Sequence, residues 1–312
     1  HFDPEIEGAL IALRDVTPPL SDESLAPFRQ AMDAAPRPDL TAGGRVRVDE
    51  RLVPGPEGAP EVSLTVLSPE GAMGELPVIY YIHGGALVLG NRYIYIDTLL
   101  PHVVDGAAVL VSVGYRFAPE HPAPAQLEDC YAGLTWTATH ADELGIDPER
   151  VVVLGISAGG GLGLGLSLLA RDRGGPAISH QVLVSPMLDD RMTTPSSTML
   201  DGYPSDRHDI AFGWRAALGD LVGGPDVSSY VAPARAADLA GLPRTYLDCG
   251  GADGFRDEVL EMAARLSRAG VTVDLHLWGG GFQGFDFSSP EAAISRAARS
   301  ARDEFVCRAL TH

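Results

Sequence analysis

Three short stretches carry residue types that could do chemistry. The first is Gly155-Ile156-Ser157-Ala158-Gly159, a G-x-S-x-G between the apolar run Val151–Leu154 and the small-residue stretch that begins at Ala158. A serine on a sharp strand-to-helix turn is exposed as a nucleophile, and the helix start beside it offers free N–H groups to an oxyanion. The second is His83-Gly84-Gly85-Ala86, closing the strand-like "VIYYI". Adjacent glycines there can aim backbone N–H groups at one point, as a tetrahedral oxyanion requires. Gly84, Gly85 and Ala158 are therefore the expected oxyanion donors. His83 is expected to be structural, hydrogen-bonded to its own loop.

The third stretch is "HLWGGGFQGFDF", residues 276–287, in which Gly279, Gly281 and Gly284 spell G-x-G-x-x-G. That spacing after a strand can cradle a dinucleotide pyrophosphate, given a βαβ unit with an acid closing the next strand. Only the helical "PEAAISRAARSARDEFVCRAL" follows, with no further strand. The dinucleotide reading fails, and no cofactor is expected.

Elements that position these stretches are legible as a pattern. "RVRVDERLV" and "PEVSLTVLSP" alternate like half-buried strands and are expected at an antiparallel edge. Continuous apolar runs follow: "LPVIYYI", "AAVLVSVGY", "RVVVLGI", "SHQVLVSP", "PRTYLDCG" and "VTVDLHLW", with helical patterns between them. Strands buried on both faces and alternating with helices predict an α/β fold with a mostly parallel sheet. Residues 190–235 break the alternation and read as a lid over the carboxyl ends of the strands, where ligands bind in such folds.

Composition narrows the function classes. The chain of 312 residues has 42 acids against 23 bases, a net charge of −19. Such a surface repels nucleic acid and anionic lipid, so neither is an expected partner. Every base is arginine, which removes Schiff-base and P-loop lysine chemistry. Cys130, Cys249 and Cys307 lack metal or redox spacing and are expected as free thiols, with no metal site and a cytoplasmic location. The first residues show neither a signal peptide pattern nor a membrane span.

The segments "HGGA", "YRFAPEHPAPAQLEDC", "GIDPERVVVLGISAGG", "SPMLDDR", "YVAPARAADLAGLP" and "GGADGFRDE" together resemble the hormone-sensitive-lipase-like carboxylesterases of the α/β-hydrolase superfamily. They follow the family's chain order over about residues 78–285. The resemblance implies an eight-stranded α/β-hydrolase domain over residues 46–312. It also implies a helical cap, built from an N-terminal segment at 1–45 and the 190–235 insertion. It implies hydrolysis of small esters, with Ser157 as nucleophile and Asp253 as the acid that orients a catalytic histidine. Asp257 and Glu258 then read as helix N-terminal charges. Small residues around the serine suggest short acyl chains. The strand and helix of residues 271–310 can mediate dimers in relatives, so a homodimer is one assembly the resemblance allows.

Three positions depart from the family. Ala86 stands for the third glycine of H-G-G-G, keeping its N–H, and Ile156 stands where an acid is usual before the serine. The third departure decides more. In the family the histidine lies in a loop reading gly-x-x-His-Gly-Phe; here the loop reads Gly280-Gly281-Phe282-Gln283-Gly284-Phe285. A carboxamide has no pKa with which to take the serine proton, and loss of a triad base typically costs on the order of 10⁴–10⁶ in rate. Of the other histidines, His208 in the expected cap is the one that could reach into the pocket; His276 lies too far along its strand, His121 between prolines reads as structural, and His102, His140 and His180 carry no motif. Four readings stay open: an esterase carrying an introduced change, a weak esterase, a lyase or cyclase, and a ligand-binding relative such as the plant gibberellin receptor.

Overall fold

The computed structural model describes residues 1–311. Its centre is an eight-stranded sheet in the order β1-β2-β4-β3-β5-β6-β7-β8. The strands are β1 (Val46–Val53), β2 (Val62–Pro69), β3 (Leu76–Ile82), β4 (Val109–Gly114), β5 (Ile146–Ile156), β6 (His180–Val184), β7 (Arg244–Gly250) and β8 (Val273–Trp278). β2 pairs antiparallel with β1 and with β4, and every other neighbour is parallel. The α/β expectation and the antiparallel edge therefore hold.

The central strands are apolar on both faces because helices cover both. On one side lie α4 (Ala125–Thr139), α6 (Ala158–Arg173) and α8 (Arg256–Arg268), packed on residues such as Val78, Val153 and Leu247. On the other lies α10 (Ala293–Thr311), whose Phe305, Val306 and Ala309 meet Ile79, Val152 and Tyr246. No helix among the described residues is long and apolar enough to cross a membrane.

One strand departs from the expectation of two-sided burial. β8 is an edge strand paired only with β7. Leu275 and Leu277 point outward, 40% and 46% exposed, while His276 turns inward between the rings of Tyr246 and Trp278. An apolar run looks the same in the middle of a sheet and at its edge, since pairing and not composition fixes the neighbours.

Two regions gather at the carboxyl ends of the parallel strands. The N-terminal helices α1 (Glu7–Val16) and α2 (Asp22–Ala34) form one, and α7 (Arg207–Leu218) the other. Leu20 N–H and Ser205 N–H both donate to the buried carboxylate of Asp209 on α7, tying the two regions together. Arg29 reaches from α2 to the carbonyls of Val88 and Ala118. Ile6 and Leu10 pack against Phe282 and Phe285, on either side of Gln283 in sequence.

Candidate active site

Ser157 occupies the turn between β5 and α6 with φ 56° and ψ −119°. A non-glycine residue in that region carries about 1–3 kcal/mol of strain and persists only where its surroundings impose it. Those surroundings are visible. Ser157 N–H donates to Val184 O at 2.9 Å, and its carbonyl accepts from Gly160, Gly161 and Met187. The flanking glycines are sterically required. A Cβ on Gly155 would lie 2.0 Å from Gly159 O, and one on Gly159 would lie 2.1 Å from Ile82 O.

The Gly84–Gly85 strip lies directly against this turn, since a Cβ on Gly84 would come within 3.2 Å of Ser157 Cβ. His83 anchors the strip from below. It is fully buried, its Nδ1–H donates to Gly84 O at 2.6 Å, and its ring stacks on Tyr115. Burial pushes its pKa down to about 4, so it stays neutral, as a structural residue should. Tyr115 Oη donates to His83 O at 2.8 Å and closes the same anchor.

Ala86 and Leu87 continue the strip with φ of 50° and 69°. The room for the Ala86 side chain comes from a neighbouring helix. Gly213 on α7 sits over Ala86, and a Cβ at Gly213 would lie 2.4 Å from Ala86 O and 3.0 Å from Ala86 Cβ. A glycine inside a helix carried no sequence signal for this contact.

Asp253, on the loop after β7, is 1% exposed. Phe255 N–H donates to its Oδ1 at 2.9 Å, and the side chains of Ser185 and Cys249 also bond to it. Burial nevertheless dominates and raises its pKa to about 6. Gln283, on the loop after β8, spans the space between Asp253 and Ser157. Its neighbours orient the carboxamide, since only one placement satisfies both. Nε2 then donates to Asp253 Oδ2 at 2.5 Å, and Oε1 accepts from Ser157 Oγ at 3.2 Å. Ser157, Asp253 and Gln283, named from sequence, are brought into one line.

The other named residues fall elsewhere. His208 does not enter this space: its side chain is 61% exposed and its Nε2 lies 3.0 Å from Asp201. A helix places a side chain by its phase, and here that phase points to solvent. Asp257 and Glu258 do lie in the first turn of α8, but they are more than terminal charges. Asp257 accepts from Ser196 N–H, and the buried Glu258 accepts from the N–H groups of Leu188 and Asp189. They clasp the start of the 190–235 segment to the sheet.

Sequence reasoning also missed Arg302. Its guanidinium bonds Asp248 on β7 at 3.0 Å and Asp286 on α9 (Phe285–Ser288) at 2.9 Å, with both carboxylates buried and the arginine side chain 12% exposed. This fixes the loop that holds Gln283 to the strand that leads to Asp253. Two sets of possible metal donors exist, His102 with Asp303 and Cys307, and Asp201 with Asp206 and His208. Neither includes a residue of the Ser157 line.

A strained serine at a strand-to-helix turn, a glycine strip beside it and a buried acid two strands away is the arrangement of an α/β-hydrolase. Residues 79–302 match the family described as alpha/beta hydrolase fold. The chain belongs to that family.

Its relatives are ester hydrolases. Carboxylesterase NlhH of Mycobacterium tuberculosis is 37% identical over 236 residues, 74% of this chain and 72% of the relative. Esterase LipI of the same species is 35% identical over 280 residues, covering 88% and 85%. Among solved structures, a bacterial heroin esterase superposes with a TM-score of 0.89 at 37% identity, covering 99% of this chain and 98% of that one. By family, this α/β-hydrolase is a serine carboxylic-ester hydrolase.

Proposed function

We propose that this chain is a carboxylesterase-type hydrolase of small, short-acyl esters in which Gln283 stands where the catalytic histidine would stand. Ser157 is the nucleophile, Asp253 the orienting acid, and the N–H groups of Gly84, Gly85 and Ala158 the oxyanion donors. Residues 1–45 and 190–235 act as the cap that shapes the ester site.

The observation that carries this reading is the hydrogen-bonded line from Ser157 through Gln283 to Asp253. Gln283 reproduces the two contacts of a triad base, accepting from the serine and donating to the acid. It cannot accept the proton that Ser157 must lose during attack, nor return one to the leaving alcohol. The site is thus built for ester binding and oxyanion stabilisation, with proton transfer disabled. Loss of that step lowers kcat by about 10⁴–10⁶, leaving the contribution of binding and the oxyanion hole.

Replacement Gln283→His tests the assignment. Hydrolysis of p-nitrophenyl acetate and butyrate is expected to rise by about 10³-fold or more over the native chain. Adding Ser157→Ala is expected to abolish the gain. A Gln283→His protein that folds, yet hydrolyses neither ester faster, would overturn the reading. Thermal stabilisation of the native chain by a small metabolite, without turnover, would then favour ligand binding.

A further inference from the structure

His102 and Asp303 line a cleft of about 400 Å³ where α3 (Leu100–Val104) meets α10, remote from the Ser157 line. His102 is 6% exposed, and its Nε2 lies 3.0 Å from Asp303 Oδ1. Cys307 stands four residues after Asp303 on α10, so the two side chains share one face of that helix. The His102 nitrogen, an Asp303 oxygen and the Cys307 sulfur all lie within 4.8 Å of one another. Asp105, at the C-terminal end of α3, adds charge to the same place: burial, then Asp303 and Asp105, push the Cys307 thiol up.

Imidazole, thiolate and carboxylate together make a donor set for zinc, whereas magnesium and calcium prefer oxygen alone. Around a tetrahedral zinc, a histidine nitrogen and a carboxylate oxygen stand about 3.3 Å apart, and nitrogen and sulfur about 3.6 Å. The His102–Asp303 pair already sits close to that spacing. Cys307 is exposed and needs to close by little more than about 1 Å, a movement within reach of one side-chain torsion. Of the two arginines lining the cleft, Arg302 is committed to Asp248 and Asp286, which leaves Arg299 against the carboxylates of Asp105 and Asp303. The other group of donors, Asp201, Asp206 and His208, has no thiol, and both Asp201 and His208 are 61% exposed.

We propose that His102, Asp303 and Cys307 form a zinc site, with water completing the coordination. His102 binds as neutral imidazole, and Cys307 gives up its proton to solvent as the sulfur–zinc bond forms. Three protein ligands and one open position make an exchangeable site rather than a closed structural one. Bound zinc clamps α3 to α10 one residue beyond Arg302, which holds the Gln283 loop through Asp286. The site is independent of the ester-hydrolase reading. Its ligands come from segments far apart in the chain, so no metal spacing marks it in the sequence.

Cobalt serves as the spectroscopic probe. The native chain, kept reduced by a phosphine, is expected to take up one Co²⁺ with a thiolate-to-metal absorption band, which zinc then displaces. Cys307→Ser is expected to lose the band, and both it and Asp303→Asn to bind zinc about 100-fold or more weakly. Zinc is expected to raise the melting temperature of the native chain and to leave that of Cys307→Ser unmoved.

A native chain that takes up no zinc overturns the proposal. So does a band retained in Cys307→Ser, an equal melting shift in that variant, or unchanged zinc affinity in Asp303→Asn. Loss of binding on His208→Gln would place the metal at the exposed group instead and overturn it equally.

Discussion

Asp253 Oδ2 and the Gln283 amide nitrogen lie 2.5 Å apart, joining a buried carboxylate to a group that cannot ionise. Besides Gln283, the Phe255 N–H and the side chains of Ser185 and Cys249 bond to the acid, and no cation among the described residues pairs with it. Burial raises its pKa, and the hydrogen bonds from Phe255, Ser185 and Cys249 only partly offset the loss of water.

Asp253 should therefore leave a signature in stability against pH. Its pKa of about 6 in the fold exceeds its ordinary 3.8, so the folded state holds the proton more tightly. The contribution is fully present below about pH 4 and is lost as pH rises through about 6. Unfolding free energy of the native chain minus that of Asp253→Asn is expected to decline across this window. Chemical denaturation at several pH values reads the difference, in which the other buried acids cancel. A flat difference would contradict the assignment.

Gln283→Glu should not restore catalysis although it introduces a titratable group. The new carboxylate would face the buried Asp253 at hydrogen-bond distance, and two carboxylates that close share one proton. The variant is expected to lose about 3 kcal/mol at pH 8, on the scale of an uncompensated buried charge. The loss should shrink towards pH 5, where the pair is protonated. Melting curves at the two pH values check this, alongside p-nitrophenyl butyrate hydrolysis no faster than that of the native chain.

Gly213 and Ala86 should be energetically coupled. Gly213→Ala forces a Cβ to within 2.4 Å of Ala86 O and is expected to cost about 1–3 kcal/mol by overpacking. Ala86→Gly frees the strip to shift, so the double variant should recover at least about 0.5 kcal/mol relative to additivity. Labelling of Ser157 by a fluorophosphonate in the Gln283→His background should fall with Gly213→Ala and return in the double variant.

Arg302→Met should be among the most destabilising single changes. It strands Asp248 and Asp286, both buried, without their cation, at an expected cost of about 3–5 kcal/mol. Burial already pushes the Asp248 pKa up, so removal of Arg302 hurts less at low pH, where that carboxyl takes a proton. Denaturation midpoints at pH 5 and pH 8 measure the difference.

Local signals were the legible ones. The serine turn could be read because strand, motif and helix are contiguous, and the sheet because six apolar runs recur with helices between them. Contacts that depend on packing between distant segments could not. Gly213 reads as a weak helix residue until α7 is laid on Ala86, and Arg302 reads as a solvated helix charge until α10 is laid on β7. Glu258 looked like a terminal charge because an acid in a first helical turn usually faces water; a neighbouring segment with unpaired N–H groups at Leu188 and Asp189 drew it inward instead. The exposure of β8 was hidden for the reason that edges always are: position in a sheet is a property of pairing.

The edge position of β8 also makes the site depend on the docking of one strand. β8 is an edge strand held by β7 alone, and its loop carries Gln283, so Ser157 meets its partner only when β8 is docked. A ligand that bridges the Ser157 turn and the Gln283 loop would bind only the completed sheet, and would draw the last strand home by mass action.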